Sequence, residues 1–312
     1  MKFTNRYANA DEVREVAFRT INRTLAEFSE KHGCPDLSAD NRKRFPWFAA
    51  DGDSHTMPAS RHWEYPWAII ESRVSGGMKV CDIGCGRTPF MFLLADLACA
   101  VTAVDPQIGT TPDGGNFGIP SEWVKRFPQI SFVRGTLEET TLPDDAFDRV
   151  YCISVIEHLN VEEDRRRGMR EIARILKPGG LAVLTVDCIP ADGRFTNFLE
   201  LVHASGLILD GYSDFTLPRE PFATTEDGVS REEVFGFVLR KEPSAIRYPT
   251  AADAKAEVRH HDLPFLRNKA LMQTIKRDLT GAKGGRVKFF GLFKFLGKLM
   301  VGRYRGFFES ID

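Results

Sequence analysis

Residues 78–105, MKVCDIGCGRTPFMFLLADLACAVTAVD, decide the fold. They read as a strand over Met78–Ile83, a turn with glycines at 84 and 86, a helix over Pro89–Leu97 and a second strand over Val101–Val104. That succession makes a βαβ unit with parallel strands and a right-handed crossover. The pattern continues outward with strands at Ile130–Val133, Phe147–Val155 and Leu181–Val186, and with helices near Val161–Leu176 and Arg194–Ala204. Two more strand candidates, Leu207–Leu217 and Val234–Leu239, follow without a helix between them and must be antiparallel neighbours. The spacing predicts an α/β fold with a doubly wound, seven-stranded, mostly parallel sheet and a terminal antiparallel hairpin.

Around this centre the chain divides into four stretches. Residues 1–60 read as a helical and irregular cap. Its helix over 11–31 carries Val13, Val16, Ala17, Ile21, Leu25 and Phe28 at spacings of three and four. Residues 61–242 hold the sheet, with a Gly/Pro-rich insertion between Gln107 and Phe127 placed over the ligand face. Residues 243–282 read as a linker with a helical segment, and 283–312 as a basic tail.

Composition narrows the function classes. With 43% hydrophobic and 27% charged residues the chain is no disordered polymer. The balance of 42 basic against 43 acidic residues argues against nucleic acid as a partner. That balance is uneven: the tail carries seven Lys/Arg against two acids, and six of the 24 phenylalanines. On a helical wheel Phe289, Leu292, Phe293, Phe295, Leu296, Leu299 and Met300 share one broad face, opposite Lys283, Lys294, Lys298 and Arg305. Such a helix over 283–308 suits the surface of a membrane or a partner, or alternatively the protein's own core. The first residues hold no apolar stretch of signal-peptide length, and no run of 18 apolar residues exists to span a bilayer. Six cysteines within apolar runs read as free thiols. The expected address is cytoplasmic, with the inner face of a membrane added if the tail binds there.

In an open α/β sheet the ligand lies outside the C-terminal ends of the strands. Gly84 and Gly86 let a ligand touch the backbone, and Asp105, 21 residues past Gly84, can accept both hydrogen bonds of a ribose diol. A dinucleotide and S-adenosyl-L-methionine both fit this frame. A dinucleotide needs a third glycine where this chain has Pro89, and Asp82 would repel its phosphates. A sulfonium or an α-amino group would be attracted to Asp82, which favours the methyl donor.

The stretches VCDIGCGRTPF (80–90), VTAVDP (101–106), FVRGTLEETTLPDDAFDRVYCISVIEHL (132–159) and RILKPGGLAVLTV (174–186) resemble, in order and spacing, the motifs of class I S-adenosylmethionine-dependent methyltransferases of the type 11 kind. The resemblance implies a Rossmann-like fold and S-adenosyl-L-methionine as cofactor. It places Gly84 and Gly86 under the methionine part, with Asp82 and Cys85 beside them, and Asp105 on the ribose. Thr136 and Leu137 would edge the adenine. The family often has an acid where Thr136 stands, which leaves adenine recognition to backbone groups or to Glu138. Ser154, beside Ile153, would face cofactor and substrate, and Thr88 replaces the family's third glycine.

Upstream, RHWEYPW (61–67) is similar to the segment before the first motif in methyltransferases of glycan and secondary-metabolite pathways. It reads as a lid from which Arg61 or Tyr65 reaches the methionine carboxylate, or as an aromatic plug under the N-terminal helix. The implied activity is O-methylation of a sugar hydroxyl or lipid-linked glycan intermediate. The alternatives are a small lipophilic acceptor such as a quinone or polyketide, or a non-catalytic scaffold. A hydroxyl acceptor must lose a proton, for which His158 and Asp187 are the candidates. Each has another reading, His158 as a loop cap and Asp187 as a turn carboxylate. No metal site is expected, since Cys81 and Cys85 straddle the cofactor turn.

Overall fold

The computed structural model describes residues 3–37, 44–45, 47, 57–109, 118–188, 198–224 and 230–243. They belong to a compact unit over Met1–Ile246; a second unit, Arg247–Asp312, lies outside the described residues, and with it the tail and its amphipathic face.

The strands are β1 (Asn5–Tyr7), β2 (Lys79–Ile83), β3 (Ala100–Asp105), β4 (Ile130–Arg134), β5 (Phe147–Ile153), β6 (Leu176–Cys188), β7 (Leu207–Leu209), β8 (Ser213–Asp214), β9 (Ala223–Thr224) and β10 (Arg231–Lys241). The helices are α1 (Val16–His32), α2 (Arg61–Ser72), α3 (Phe90–Asp96), α4 (Ser121–Arg126), α5 (Glu162–Ile175) and α6 (Phe198–Ser205). Along the sheet the order is β4-β3-β2-β5-β6-β10-β1-β8. The run from β4 to β6 is parallel, and β10 is antiparallel to β6 and to β7.

The parallel centre and the antiparallel end agree with the sequence pattern; the count of seven strands does not. The Leu207–Leu217 candidate shortens to β7, because Gly211 turns the chain at φ +82 and the next residues pair elsewhere as β8. The free edge of β10 is covered in three pieces, by β9 at Arg231–Glu232, β1 at Phe235–Gly236 and β7 at Leu239–Lys241. The 1–60 stretch therefore contributes a strand as well as a helix. The helix also starts later than its periodicity suggests: Ala10–Arg14 forms a 3-10 turn, and extended backbone at Glu15 separates it from α1.

Side chains alternate between two cores. Val80, Tyr151, Val183 and Val238 face α1, α2 and α3, whereas Cys81, Cys152, Leu184 and Phe237 face α5 and α6. The helix α2 crosses β6 and β10 on the first face, where a Cβ on Gly236 would stand 2.4 Å from the Trp67 ring. Pro66 inside α2 has no N–H for the His62 carbonyl one turn back. Asn22 of α1, 2% exposed, fills that vacancy: its Nδ2 donates to the His62 oxygen at 2.9 Å. Asn22→Leu removes this buried hydrogen bond and should cost about 1–3 kcal/mol in urea unfolding; unchanged stability would mean that the bond does not support the helix.

Candidate functional site

β2, β3 and β5 end at the same rim, and the turns that follow them enclose a cavity of about 500 Å³. Gly84 and Gly86 both lie at positive φ, +67 and +51, which lets the chain turn directly out of β2. A Cβ on Gly84 would also stand 2.4 Å from Val155 Cγ2, so the loop after β5 closes against the glycine itself. The cavity brings together Asp82, Gly84, Cys85, Gly86, Asp105, Thr136, Leu137, Ser154 and His158. Asp187 is not among its lining residues. Thr136 sits in a tight turn, exchanging backbone hydrogen bonds with Glu139, and Glu138 joins the wall beside it.

Asp105, 8% exposed, accepts from Gly86 N at 3.1 Å and from Gln107 N at 2.8 Å. These bonds fix its orientation, and each oxygen keeps a second lone pair for a ligand. A carboxylate with free lone pairs, a glycine turn open to backbone contact and a second acid at Asp82 form a donor set that fits the ribose and cationic methionine end of S-adenosylmethionine.

Helix α2 supplies what the sequence left undecided. Its Trp63 and Trp67 are buried and stacked, with centroids 5.2 Å apart, while Arg61 and Tyr65 line the cavity. The segment is plug and wall at once. Tyr65 stacks on Phe90, with centroids 4.7 Å apart, and burial drives its hydroxyl pKa upward.

The sequence reading missed Glu64, which is fully buried. Its carboxylate accepts from Ser154 Oγ at 2.6 Å and from Thr185 Oγ1, and pairs with Arg61. Arg61 Nη1 also donates to Ser154 Oγ at 2.8 Å. Ser154 holds φ +47, a strained value for a side-chain-bearing residue, and Thr185 O and Oγ1 both accept from its backbone N–H at 3.1 Å. The available signal was an acid and an arginine three apart at the start of an otherwise aromatic helix.

Beyond Ser154 lies a pair of acids. Asp187 Oδ1 is 3.5 Å from Ser154 Oγ, and Glu157 Oε1 accepts from the Asp187 N–H at 3.1 Å. Burial and the Glu64 charge raise the Asp187 pKa, while burial and Asp187 raise that of Glu157. His158 is exposed at the rim.

Asp82, 3% exposed, is raised to about 8 by burial first and then by the Asp105 charge, against a smaller opposing pull from Arg61. The unfolded chain gives up this proton near pH 4, so the folded state binds more protons between about pH 4 and 8 and stability falls as pH rises. Melting temperatures at pH 5 and pH 8 should differ less for Asp82→Asn than for the parent; equal differences would contradict the shift.

A model of the family described as a methyltransferase domain matches residues 81–184. The chain is similar to that family over a third of its length. Over 132 residues it is 31% identical to a protein of Mycolicibacterium smegmatis named as a probable S-adenosylmethionine-dependent methyltransferase, covering 41% of this chain and 47% of that protein. It is 32% identical over 136 residues to a sterol 24-C-methyltransferase of Gibberella zeae, covering 42% and 33%. The crystal structure of the [4+2]-cyclase SpnF aligns at a TM-score of 0.48 with 15% identity, over 73% of this chain and 97% of that one. The chain spans between a third and a half of the length of these two curated relatives. The match begins in β2 and ends within β6, so the matched part holds the rim of the cavity but not α2, β7 or β10. Among the described residues no helix is long and apolar enough to cross a membrane.

Proposed function

We propose that the protein transfers a methyl group from S-adenosylmethionine to a hydroxyl acceptor. The observation that carries this reading is the convergence on one cavity of motif residues that follow β2, β3, β4 and β5, all of them inside the matched stretch. The donor supplies an electrophilic methyl group on a good leaving group, which leaves positioning and desolvation as the protein's main tasks. Asp105 holds the ribose diol, the Gly84–Gly86 backbone receives the methionine part, and Thr136, Leu137 and Glu138 bound the adenine. Asp187, whose Oδ1 lies 3.5 Å from the cavity-lining Ser154 hydroxyl, is one base candidate, and its raised pKa brings it toward neutral-pH base work. His158, exposed on the cavity rim, is the other base candidate. Calorimetric titration with S-adenosylmethionine tests the reading, and no binding at millimolar donor ends it.

The acceptor we favour is a sugar hydroxyl or a lipid-linked glycan, supported by the RHWEYPW segment and by the basic, Phe-rich tail. A small lipophilic acceptor is the second reading, favoured by the similarity to a sterol 24-C-methyltransferase. A screen of glycan and lipophilic acceptors for labelled-methyl uptake separates them. The tail would hold the enzyme at an anionic membrane surface through residues 283–308. Intact protein should float with anionic liposomes and a 1–282 form should not; equal behaviour rejects the membrane role.

A further inference from the structure

Ser154 stands on the cavity wall, and its hydroxyl has one proton and two lone pairs to place. Arg61 Nη1 occupies one lone pair, donating at 2.8 Å. Two carboxylates compete for the proton: Glu64 Oε1 at 2.6 Å and Asp187 Oδ1 at 3.5 Å. The shorter contact takes it, and the surroundings fix that choice. Glu64 is anchored by the Arg61 guanidinium and by the Thr185 hydroxyl, while Thr185 also holds the Ser154 backbone N–H. Ser154 therefore offers its second lone pair, and no hydrogen, to Asp187. A carboxylate gains nothing from that contact, whereas a carboxylic acid can donate into it. The other charged groups around Asp187 are Glu157 after β5, Glu232 of β10 and Arg44, which is itself paired with Glu232 at 2.7 Å. Burial first, and then the Glu64 charge, push Asp187 up to about 7, against smaller pulls from Arg61 and Arg44.

We propose that Glu64 is a positioning residue: by holding the Ser154 proton it leaves the serine oxygen as an acceptor for Asp187, and so equips Asp187 to receive a proton. An acceptor hydroxyl that loses its proton to Asp187 keeps the electron pair that bonds to the methyl carbon, and the pair of the broken C–S bond stays on sulfur. Protonated Asp187 then donates to Ser154 Oγ until solvent takes the proton. Glu64 itself lies outside the cavity lining and acts only through Ser154. The catalytic use rests on the methyl-transfer reading; the arrangement of Glu64, Ser154 and Asp187 does not.

Carbon-13 NMR of the full chain, labelled at the aspartate carboxyl carbon, reads the titration of Asp187 without donor or acceptor, and Asp187→Asn identifies its signal. Two variants remove the serine oxygen: Ser154→Gly suits the φ of +47, and Ser154→Ala keeps the site dry. Each should lower the Asp187 midpoint by about 0.5–1 pH unit, because the acid form loses its acceptor. In a Glu64→Gln background the same substitutions should no longer lower it, since the serine proton is then free to turn to Asp187. A midpoint that rises or stays put in Ser154→Gly and Ser154→Ala overturns the proposal. An equal fall in both backgrounds also overturns it, and assigns the effect to water entering beside Asp187. Failure of S-adenosylmethionine to bind would instead overturn the methyl-transfer reading, and with it the catalytic use, while the midpoints stayed as expected.

Discussion

Arg61→Ala should destabilise the protein by about 3–5 kcal/mol, the range for removing one member of a buried ion pair. Glu64 is fully enclosed, and Arg61 is its ion-pair partner. Without that cation the carboxylate must stay charged in a dry site or take up a proton. Both outcomes disturb the hydroxyls of Ser154 and Thr185 that point at it. The damage spreads because this cluster ties α2 to the ends of β5 and β6. Urea denaturation of the single variant and of Arg61→Ala/Glu64→Gln separates charge from packing. The second substitution should recover a large share of the loss, since it removes the stranded charge. A single variant within about 1 kcal/mol of the parent would mean that Glu64 does not depend on Arg61.

Asp105→Ala should weaken S-adenosylmethionine binding about 100-fold, the loss expected for two charge-assisted hydrogen bonds to a ribose diol. Asp105→Asn should lie between variant and parent, because an amide keeps one acceptor and loses the charge. Part of the effect passes through the protein, as the same carboxylate anchors Gly86 N and Gln107 N. A melting curve beside the binding isotherm divides the two contributions. Unchanged affinity in Asp105→Ala removes the residue from the ribose site.

The central sheet was legible because its signals are local: a glycine turn after β2, an acid ending β3, and apolar runs of strand length. β1 was not legible, since Asn-Arg-Tyr has no alternation and pairs with a strand more than 200 residues away. Asn5 makes that pairing secure through side-chain contacts that no periodicity encodes: its Oδ1 accepts from Val238 N at 2.7 Å and its Nδ2 donates to the Asp210 oxygen at 2.8 Å. At the cavity, residues named from the strand ends came together because a parallel sheet gathers all such ends at one rim. Glu64 and Glu157 escaped for the opposite reason. Each gains its partners from another element, and a single acid in a helix or a turn carries no mark of burial. The near-neutral charge balance of the sequence likewise gave no sign that Asp82 would be enclosed.

The three-piece cover on the edge of β10 has a consequence for the order of assembly. During synthesis the segment that becomes β1 leaves the ribosome more than 200 residues ahead of the strand it must join. Contacts of such separation carry a large loop-closure cost and form late. Until then the long apolar strand β10 presents an open edge, the kind that recruits neighbouring chains. Strand β1 thus acts as a latch that shuts last. A deletion of β1 should be read in soluble yield and refolding rate before it is read in catalysis, because the cavity lies on the opposite side of β6 from that latch.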